Sequence, residues 1–236
     1  MQLKEEVGKL VKLIKDTLFP AYCLGCDKEG EFVCDNCYKT LGKAGVFYCP
    51  VCHAKNNDGS CCEGCKNKIS IDKHIALLPY KEDSLVGKMM HSFKYQYTED
   101  VAFIFKKLAQ DFFEQYNVEV DFIVPVPLHK RRYVERGFNQ AEKIAELISK
   151  QLNKPLKKIL KRNRSTKQQA KLKREERLKN LEDAFELNLK EEIDLKNKTI
   201  LLVDDVFTTG STIGECAKVL KNAGVREVVG FSVARG

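Results

Sequence analysis

The sequence predicts an α/β fold, in which a mostly parallel sheet is flanked by helices and preceded by a small metal-binding module. Three observations support this prediction. Apolar runs that suit buried strands alternate with segments of helical periodicity from residue 71 onward. Nine of the ten cysteines lie within residues 23–65. The length of 236 residues also suits one medium domain with a small module.

Residues 1–19 predict a short amphipathic helix. Leu3, Val7 and Leu10 fall at helical spacing, and Pro20 ends the pattern. Lysines and acidic residues interrupt the apolar positions throughout, so the segment does not have the composition of a secretory signal. We therefore expect a cytoplasmic protein without membrane insertion.

Residues 20–68 predict a module held together by zinc. The cysteines form four Cys-x-x-Cys pairs: Cys23 and Cys26, Cys34 and Cys37, Cys49 and Cys52, and Cys62 and Cys65. This spacing presents two thiolates to one metal ion. In a reducing compartment such pairs favour structural zinc over disulfides, and the segment has few apolar residues with which to form a core without metal.

Sequential pairing of these cysteines predicts two four-cysteine zinc sites, because it closes the shortest loops. Crossed pairing remains an alternative. Cys61 is an alternative ligand to Cys62, whereas His53, directly after Cys52, is interpreted as an exposed or supporting residue. Cys216 lies apart, on the apolar side of a later helix, and is interpreted as a core residue.

Residues 71–236 predict the α/β domain. Strands are predicted at residues 75–79, 122–126, 199–203 and 228–234, and helices at residues 84–91, 101–116 and 138–152. Ile213, Ala217 and Leu220 share one helical face and predict a further helix after residue 212. Strands that alternate with helices favour a mostly parallel sheet with helices on both faces.

Residues 200–212 carry the strongest functional signal. An apolar run is followed by Asp204 and Asp205 and then by a hydroxyl-rich turn formed by Thr208, Thr209, Gly210, Ser211 and Thr212. Backbone amides, hydroxyls and the N-terminus of the next helix suit a phosphate, and Gly210 supplies the φ that such a turn requires. The chain contains no Gly-x-Gly-x-x-Gly motif, which excludes a Rossmann dinucleotide site.

This segment resembles the phosphoribosyl-pyrophosphate (PRPP) motif of type I phosphoribosyltransferases. The resemblance implies that Asp204 and Asp205 hold the ribose hydroxyls and that residues 208–212 hold the 5′-phosphate. It also implies Mg²⁺, because that fold binds PRPP as a metal complex. In the same fold a loop after an early strand binds pyrophosphate through backbone amides in a strained peptide. The residues in that position here are Val126, Pro127 and Leu128.

Cationic residues follow this loop. His129, Lys130, Arg131 and Arg132 suit a diphosphate, although a solvated turn is the alternative interpretation. Arg136, shortly before the next predicted helix, is a further PRPP-binding candidate. The alternative is that Arg136 only forms an ion pair with a carboxylate of the protein.

The resemblance extends along the chain to the ComF family. The shared segments are Phe93-Lys94-Tyr95, Val124-Pro125-Val126-Pro127-Leu128, Arg136-Gly137-Phe138-Asn139-Gln140, residues 166–169, Arg177-Leu178-Lys179-Asn180 and Val233-Ala234-Arg235. The family is described as a type I phosphoribosyltransferase domain behind a double zinc ribbon, and it includes machinery of bacterial natural transformation. Membership would imply a PRPP-binding protein that handles or takes up single-stranded DNA.

Two other functions are consistent with the same residues. The first is an active phosphoribosyltransferase that acts on an unidentified nitrogenous base. The second is a zinc-ribbon adaptor that docks on a competence helicase or a membrane DNA channel and keeps a vestigial ligand site.

Residues 150–180 make the protein basic. They contain thirteen Lys or Arg and two Glu, a net charge of +11, against +8 for the whole chain. Such a segment can bind a nucleic-acid backbone by charge. The DNA-binding candidates are Lys157, Lys158, Lys161, Arg162, Arg164 and Lys167. Residues 162–177 also correspond to a mobile loop that closes over the reacting centre in type I enzymes, and a solvated charged face is the third interpretation.

Overall fold

A computed structural model of the protein describes residues 20–42, 45–95, 99–163, 183–188 and 193–236. The predicted helix at residues 1–19 lies outside the described residues. So do Arg164 and Lys167 of the basic segment.

The described residues form seven strands, six α-helices and one 3₁₀ helix. The strands are β1 (Val46–Phe47), β2 (Lys73–Pro79), β3 (Phe122–Pro125), β4 (Leu160–Arg162), β5 (Phe185–Leu187), β6 (Thr199–Phe207) and β7 (Glu227–Arg235). The α-helices are α1 (Asp35–Thr40), α2 (Leu85–Tyr95), α3 (Glu99–Gln115), α4 (Lys130–Arg136), α5 (Gln140–Leu152) and α6 (Ser211–Asn222), and the 3₁₀ helix is Glu63–Lys68.

Five strands form the central sheet in the order β1-β2-β7-β6-β3. The β2/β7, β7/β6 and β6/β3 pairs are parallel, whereas β1 is antiparallel to β2 at the edge. The mostly parallel sheet predicted from the sequence is therefore confirmed. The edge strand β1, which joins the cysteine-rich segment to the sheet, was not predicted. A strand of two residues is too short to show an alternation of apolar and polar residues.

Helices cover both faces of the sheet. Strand β6 shows the division, because Leu201 and Val203 belong to one buried core and Ile200 and Leu202 to the other. Successive side chains of a strand point to opposite faces of the sheet, so β6 is buried on both sides. Helices α2, α3 and α5 contribute to the first core, and α6 contributes to the second.

Strand β6 is longer than the sequence predicts. Apolar residues alone suggest an end at Val203, but pairing with β7 continues to the Phe207/Arg235 pair. Asp204 and Asp205 therefore lie within the strand rather than in the turn after it. Pairing with β3 stops at the Pro125/Val203 pair, so the last part of β6 has a ladder on one side only.

Helix α4 and the antiparallel pair of strands β4 and β5 were also missed. Helix α4 buries none of its residues, so its sequence carries no apolar periodicity. Its ends are instead fixed by local chemistry: the His129 side chain accepts a hydrogen bond from the Arg131 N–H, and Gly137 ends the helix at φ 78°. Among the described residues, no helix is both long enough and apolar enough to cross a bilayer.

Candidate ribose-phosphate and metal sites

A cleft of about 550 Å³ opens where β3 and β6 end. In parallel sheets ligands bind at the carboxyl ends of the strands, and the loops after β3 and β6 meet there. The cleft contains most of the residues that the sequence analysis proposed for PRPP: Asp204, Asp205, Thr208, Thr209, Gly210, Ser211, Thr212, Val126, Pro127, Leu128, Arg132 and Arg136. His129, Lys130 and Arg131 were also proposed for the diphosphate but do not line the cleft, because His129 caps α4 and Arg131 pairs with Glu135. Residues more than 70 positions apart in the chain therefore form one surface.

The phosphate turn, residues 208–212, leads directly into α6. Gly210 is the N-cap residue, with the left-handed φ of 75° that favours glycine. A Cβ at this position would lie 2.7 Å from Cζ of Phe207, so packing also requires glycine. The hydroxyls of Thr209 and Ser211 are 2.8 Å apart and line the cleft beside the N-terminus of α6. The turn thus presents hydroxyls and a helix N-terminus on one surface, which suits an anion.

The two carboxylates at the end of β6 are held by their own backbone. Asp204 Oδ1 accepts a hydrogen bond from the Asp205 N–H at 2.9 Å, and Asp205 Oδ1 accepts one from the Val206 N–H at 2.7 Å. Asp205 Oδ2 also lies 3.1 Å from Nζ of Lys94 on α2. Both oxygens of Asp205 and one oxygen of Asp204 are therefore held within the protein.

The two carboxyl groups differ in their affinity for protons. Burial, together with the negative charge of Asp205, raises the pKa of Asp204 to about 7. Burial also opposes ionisation of Asp205, but the Lys94 ammonium outweighs it and holds the pKa of Asp205 below its ordinary value. Asp205 therefore remains ionised near neutral pH, whereas Asp204 takes up a proton there.

Lys94 was not proposed as a site residue, although the ComF resemblance included it in the Phe93-Lys94-Tyr95 segment. The nearby charge of Asp205 raises the pKa of Lys94, which therefore stays protonated in the wall of the cleft. Nothing in the local sequence around Lys94 predicts this role, because its partner lies 111 positions away.

Arg132, Arg136 and Arg162 also line the cleft. Nη1 of Arg136 donates to the Gln140 side chain at 3.0 Å, and its guanidinium lies 5.7 Å from the centre of the Tyr95 ring. Burial lowers the pKa of Arg132, and the charge of Arg136 adds to this effect. The structure thus brings three arginines, from α4 and β4, to the same cleft as the carboxylates.

The loop after β3, Val126-Pro127-Leu128, is anchored at Val126, and among the described residues no peptide bond is cis. The Val126 N–H donates to the Val203 carbonyl oxygen at 2.8 Å, and the Val126 carbonyl accepts from the Asn139 side chain at 3.0 Å. Since proline has no N–H, Leu128 is the residue of the three whose amide is suited to contact a ligand.

The cysteines form two quartets, each built from neighbouring Cys-x-x-Cys pairs. The first quartet is Cys23, Cys26, Cys34 and Cys37, and the second is Cys49, Cys52, Cys62 and Cys65. Within each, the sulfur atoms all lie within 4.8 Å of one another. These are the groups that sequential pairing predicts, and crossed pairing does not match the geometry.

Both quartets fit a tetrahedral zinc ion. Zn–S bonds of about 2.3 Å place neighbouring sulfurs roughly 3.8 Å apart in a tetrahedron. The Cys26–Cys34 and Cys52–Cys62 sulfur pairs are each 3.7 Å apart, and the Cys49–Cys62 pair is 3.9 Å. The Cys34 N–H also donates to the Cys23 sulfur at 3.3 Å, a bond that favours the thiolate.

The remaining cysteines lie outside these quartets. Cys61 is buried and its sulfur is 3.5 Å from the Ile71 carbonyl oxygen, so Cys62 is the residue that belongs to the second quartet. Burial raises the pKa of Cys61 to about 12. Cys216 lies on α6 and is fully buried in the core, as the sequence analysis interpreted it. His53 is exposed and belongs to neither quartet.

The structure describes four of the DNA-binding candidates. Lys158 forms an ion pair with Glu142, and Lys161 forms one with Glu186. Both lysine side chains are about half exposed, and such surface pairs are weak enough for a competing anion to replace the carboxylate. Lys157 is partly buried beside them. Arg162 differs from these lysines because it lines the cleft.

Comparison with known proteins gives matches over most of the chain. The family described as "Phosphoribosyl transferase domain" matches residues 94–234. "Competence protein F" of Haemophilus influenzae is 31% identical over 219 residues, 90% of this chain and 90% of that protein. "Competence protein ComFC" of Streptococcus pneumoniae is 31% identical over 214 residues, 88% of this chain and 89% of that protein. "DNA utilization protein YhgH" of Escherichia coli K12 is 36% identical over 116 residues, 49% of each chain.

The first two relatives match about nine-tenths of this chain, and the domain match spans β3, β6 and the loops after them, which form the cleft. The chain therefore belongs to the ComF family and contains a phosphoribosyl transferase domain.

Proposed function

We propose that this protein binds PRPP with Mg²⁺ and acts in the handling or uptake of single-stranded DNA during natural transformation. One observation carries the ligand assignment: the carboxylates of Asp204 and Asp205 and the phosphate turn line the same cleft. A ribose phosphate needs acceptors for its hydroxyls and donors for its phosphate, and this cleft offers both.

The cations of the cleft support the diphosphate part of the ligand. Lys94, Arg132, Arg136 and Arg162 all line the cleft. Guanidinium groups bind phosphate oxygens through paired N–H donors, and they are more effective where water is excluded. Lys94 also keeps Asp205 ionised, so that this carboxylate is ready to accept hydrogen bonds from ribose hydroxyls.

The residues of the cleft also fit Mg²⁺. Asp204 and Asp205 are the carboxylates at the end of β6, and Lys94 already pairs with one of them. A site with so few protein ligands suits an ion that keeps waters and phosphate oxygens in its coordination shell. When bound, Mg²⁺ would neutralise part of the diphosphate charge.

The DNA-related function is supported by the relatives. Two of them are named competence proteins and one a DNA utilization protein. We propose that Lys157, Lys158 and Lys161 bind DNA, and Arg162, Arg164 and Lys167 are further candidates from the same basic segment of the sequence. A cytoplasmic protein with this function would work beside a competence helicase or a membrane DNA channel, and the zinc module is our candidate for that contact.

Phosphoribosyl transfer is a second candidate function, and one cavity favours it. A space of about 450 Å³ lies beside the cleft and shares four residues with it: Tyr80, Glu82, Lys94 and Tyr95. A flat nitrogenous acceptor would fit between such aromatic and polar side chains. Turnover of PRPP in the presence of a base would favour the enzyme, whereas binding without turnover would favour a PRPP-responsive or adaptor protein.

The first prediction concerns metal content. Because both quartets have tetrahedral sulfur spacing, protein purified without chelator should contain two zinc ions per chain. Cys52→Ser combined with Cys62→Ser should lower the ratio to about one. Elemental analysis measures this ratio, and Cys61→Ser is the matched control that should keep it at two. A folded protein without zinc would contradict the assignment.

The second prediction concerns PRPP. Asp204→Ala combined with Asp205→Ala should weaken PRPP binding in the presence of Mg²⁺ by about 2 to 4 kcal/mol, because two hydrogen-bonding carboxylates are lost from a partly desolvated site. Titration calorimetry measures the affinity. Glu119→Ala combined with Glu146→Ala removes two carboxylates outside the cleft and should leave the affinity unchanged. Equal affinities for all three proteins would show that PRPP binds elsewhere.

The third prediction follows from the pKa of Asp204. Folded Asp204 keeps its proton up to about pH 7, whereas an unfolded aspartate loses it near pH 4. Between these values the folded state binds more protons, so this group lowers the free energy of unfolding as the pH rises. Asp204→Asn removes the effect.

Without ligand, Asp204→Asn should therefore be more stable than wild type at pH 8, by on the order of 1 kcal/mol, with a smaller difference at pH 5. Asp205→Asn should be less stable than wild type at pH 8, because the pair with Lys94 is lost. Urea denaturation at the two pH values measures both differences. A difference for Asp204→Asn that does not change with pH would refute the raised pKa.

The fourth prediction concerns nucleic acid. Affinity for single-stranded DNA should fall with salt by about 0.7 log unit per log unit of salt for each phosphate contacted. Changing Lys157, Lys158 and Lys161 to Gln should lower both the affinity and this slope. Fluorescence anisotropy with a labelled oligonucleotide measures both. The matched control changes three exposed lysines elsewhere, Lys106, Lys107 and Lys218. If the salt dependence of the triple Gln variant equals that of wild type, the DNA site lies on another surface.

A further inference from the structure

The second cysteine quartet lies against the phosphate turn through a buried arginine. Arg235, the last residue of β7, is only 4% exposed. Its Nη1 donates to the Tyr48 carbonyl oxygen and its Nη2 to the Cys49 carbonyl oxygen, both at 2.8 Å. The two ends of one guanidinium thus hold the backbone at the first cysteine of the second quartet.

The same guanidinium supports the strand that leads into the phosphate turn. It lies 4.9 Å from the centre of the Phe207 ring, and Phe207 immediately precedes the turn. Phe207 and Arg235 are also paired across β6 and β7. The Phe207 ring packs in turn beneath Gly210, where any Cβ would lie within 2.7 Å of it. A movement of Arg235 would therefore shift Phe207 and, through it, the phosphate turn.

A buried histidine fixes the position of this arginine. His74 is fully buried, and its ring lies 3.8 Å from that of Phe207. Its Nδ1 is 3.5 Å from Nη1 of Arg235, which can only donate, so Nδ1 is the acceptor. Nε2 then carries the proton and donates to the Ser232 hydroxyl at 3.2 Å, while that hydroxyl donates to the Ala234 carbonyl.

A second contact runs from the quartet to the turn without Arg235. Cys65 lies in the 3₁₀ helix Glu63–Lys68, and Ile69 directly follows this helix. A Cβ added to Gly210 would lie 3.1 Å from the Ile69 side chain, and one added to Gly214 would also lie 3.1 Å from it. Ile69 therefore packs directly against the turn and the first turn of α6.

We propose that the second quartet and the phosphate turn form one cooperative unit, in which metal bound to the quartet strengthens phosphate binding at the turn through Arg235, Phe207 and Ile69. By thermodynamic linkage, phosphate binding then strengthens retention of the metal by the same factor. This proposal rests on the proposed PRPP function, but it also has consequences that do not need the ligand.

The test uses the zinc-loaded full chain and Arg235→Lys, since an ammonium cannot bond two carbonyl oxygens in the geometry of the guanidinium. We expect at least tenfold faster release of one zinc ion to a chromogenic chelator. We also expect at least tenfold faster amide hydrogen exchange at residues 208–214, and a PRPP dissociation constant at least ten times larger. Arg226→Lys is the matched control, because Arg226 donates to Thr199 away from the quartet.

A second variant tests the other contact and remains informative if Arg235→Lys does not fold. Ile69→Ala should accelerate the same zinc release and the same amide exchange. Ile193→Ala removes another partly buried isoleucine that packs against the same core cluster and should change neither. Folded variants at Arg235 or Ile69 with unchanged exchange at residues 208–214 would overturn the coupling.

The experiment separates failure of the coupling from failure of the proposed function. If wild type does not bind PRPP but exchange and zinc release respond together, the ligand assignment is wrong and the cooperative unit stands. If wild type binds PRPP and neither response appears, the ligand assignment stands and the cooperative unit is wrong.

Discussion

The unequal pairing of β6 with its two neighbours is the constraint on which the cleft depends. On one side the ladder with β7 continues to Phe207, whereas on the other side the ladder with β3 stops at Val203. The last residues of β6 are therefore paired with β7 on one side, whereas β3 leaves their other side open. Asp204 and Asp205 lie in this uncovered part, so a strand can present two carboxylates to a cavity without loss of backbone order.

The two carboxyl groups at the end of β6 are compensated before any ligand arrives. Asp205 is compensated by Lys94, and Asp204 is compensated by a proton near neutral pH. Burial lowers the pKa values of Arg132 and Arg162, and in each case the charge of a neighbouring arginine adds to the effect. An anionic ligand beside these guanidinium groups would stabilise their charged forms, which favours a diphosphate over a neutral sugar.

Much of this arrangement could be predicted from the sequence, because the relevant signals are local. The apolar run before Asp204, the hydroxyl-rich turn and the Cys-x-x-Cys spacing each concern neighbouring residues, and the structure places these groups together as expected. What was missed is non-local. The Lys94–Asp205 pair and the bonds from Arg235 to the Cys49 segment join residues far apart in sequence, so no window of the sequence contains both partners. Helix α4 was missed for a different reason, since an exposed helix has no apolar period.

The antiparallel strand β1 has a consequence for the behaviour of the protein outside its binding sites. Its two residues cover the outer side of β2, and Phe47 is fixed there by the rings of Phe112 and Tyr116. At the opposite side of the sheet, residues Pro155 and Lys157 bond to Ile123 of β3 in the same protective way. An uncovered strand offers unpaired backbone groups to other chains and promotes aggregation. Since β1 lies between the two quartets in the chain, metal bound to them would help to hold the segment that shields β2, and loss of that metal would leave the edge of β2 open to other chains.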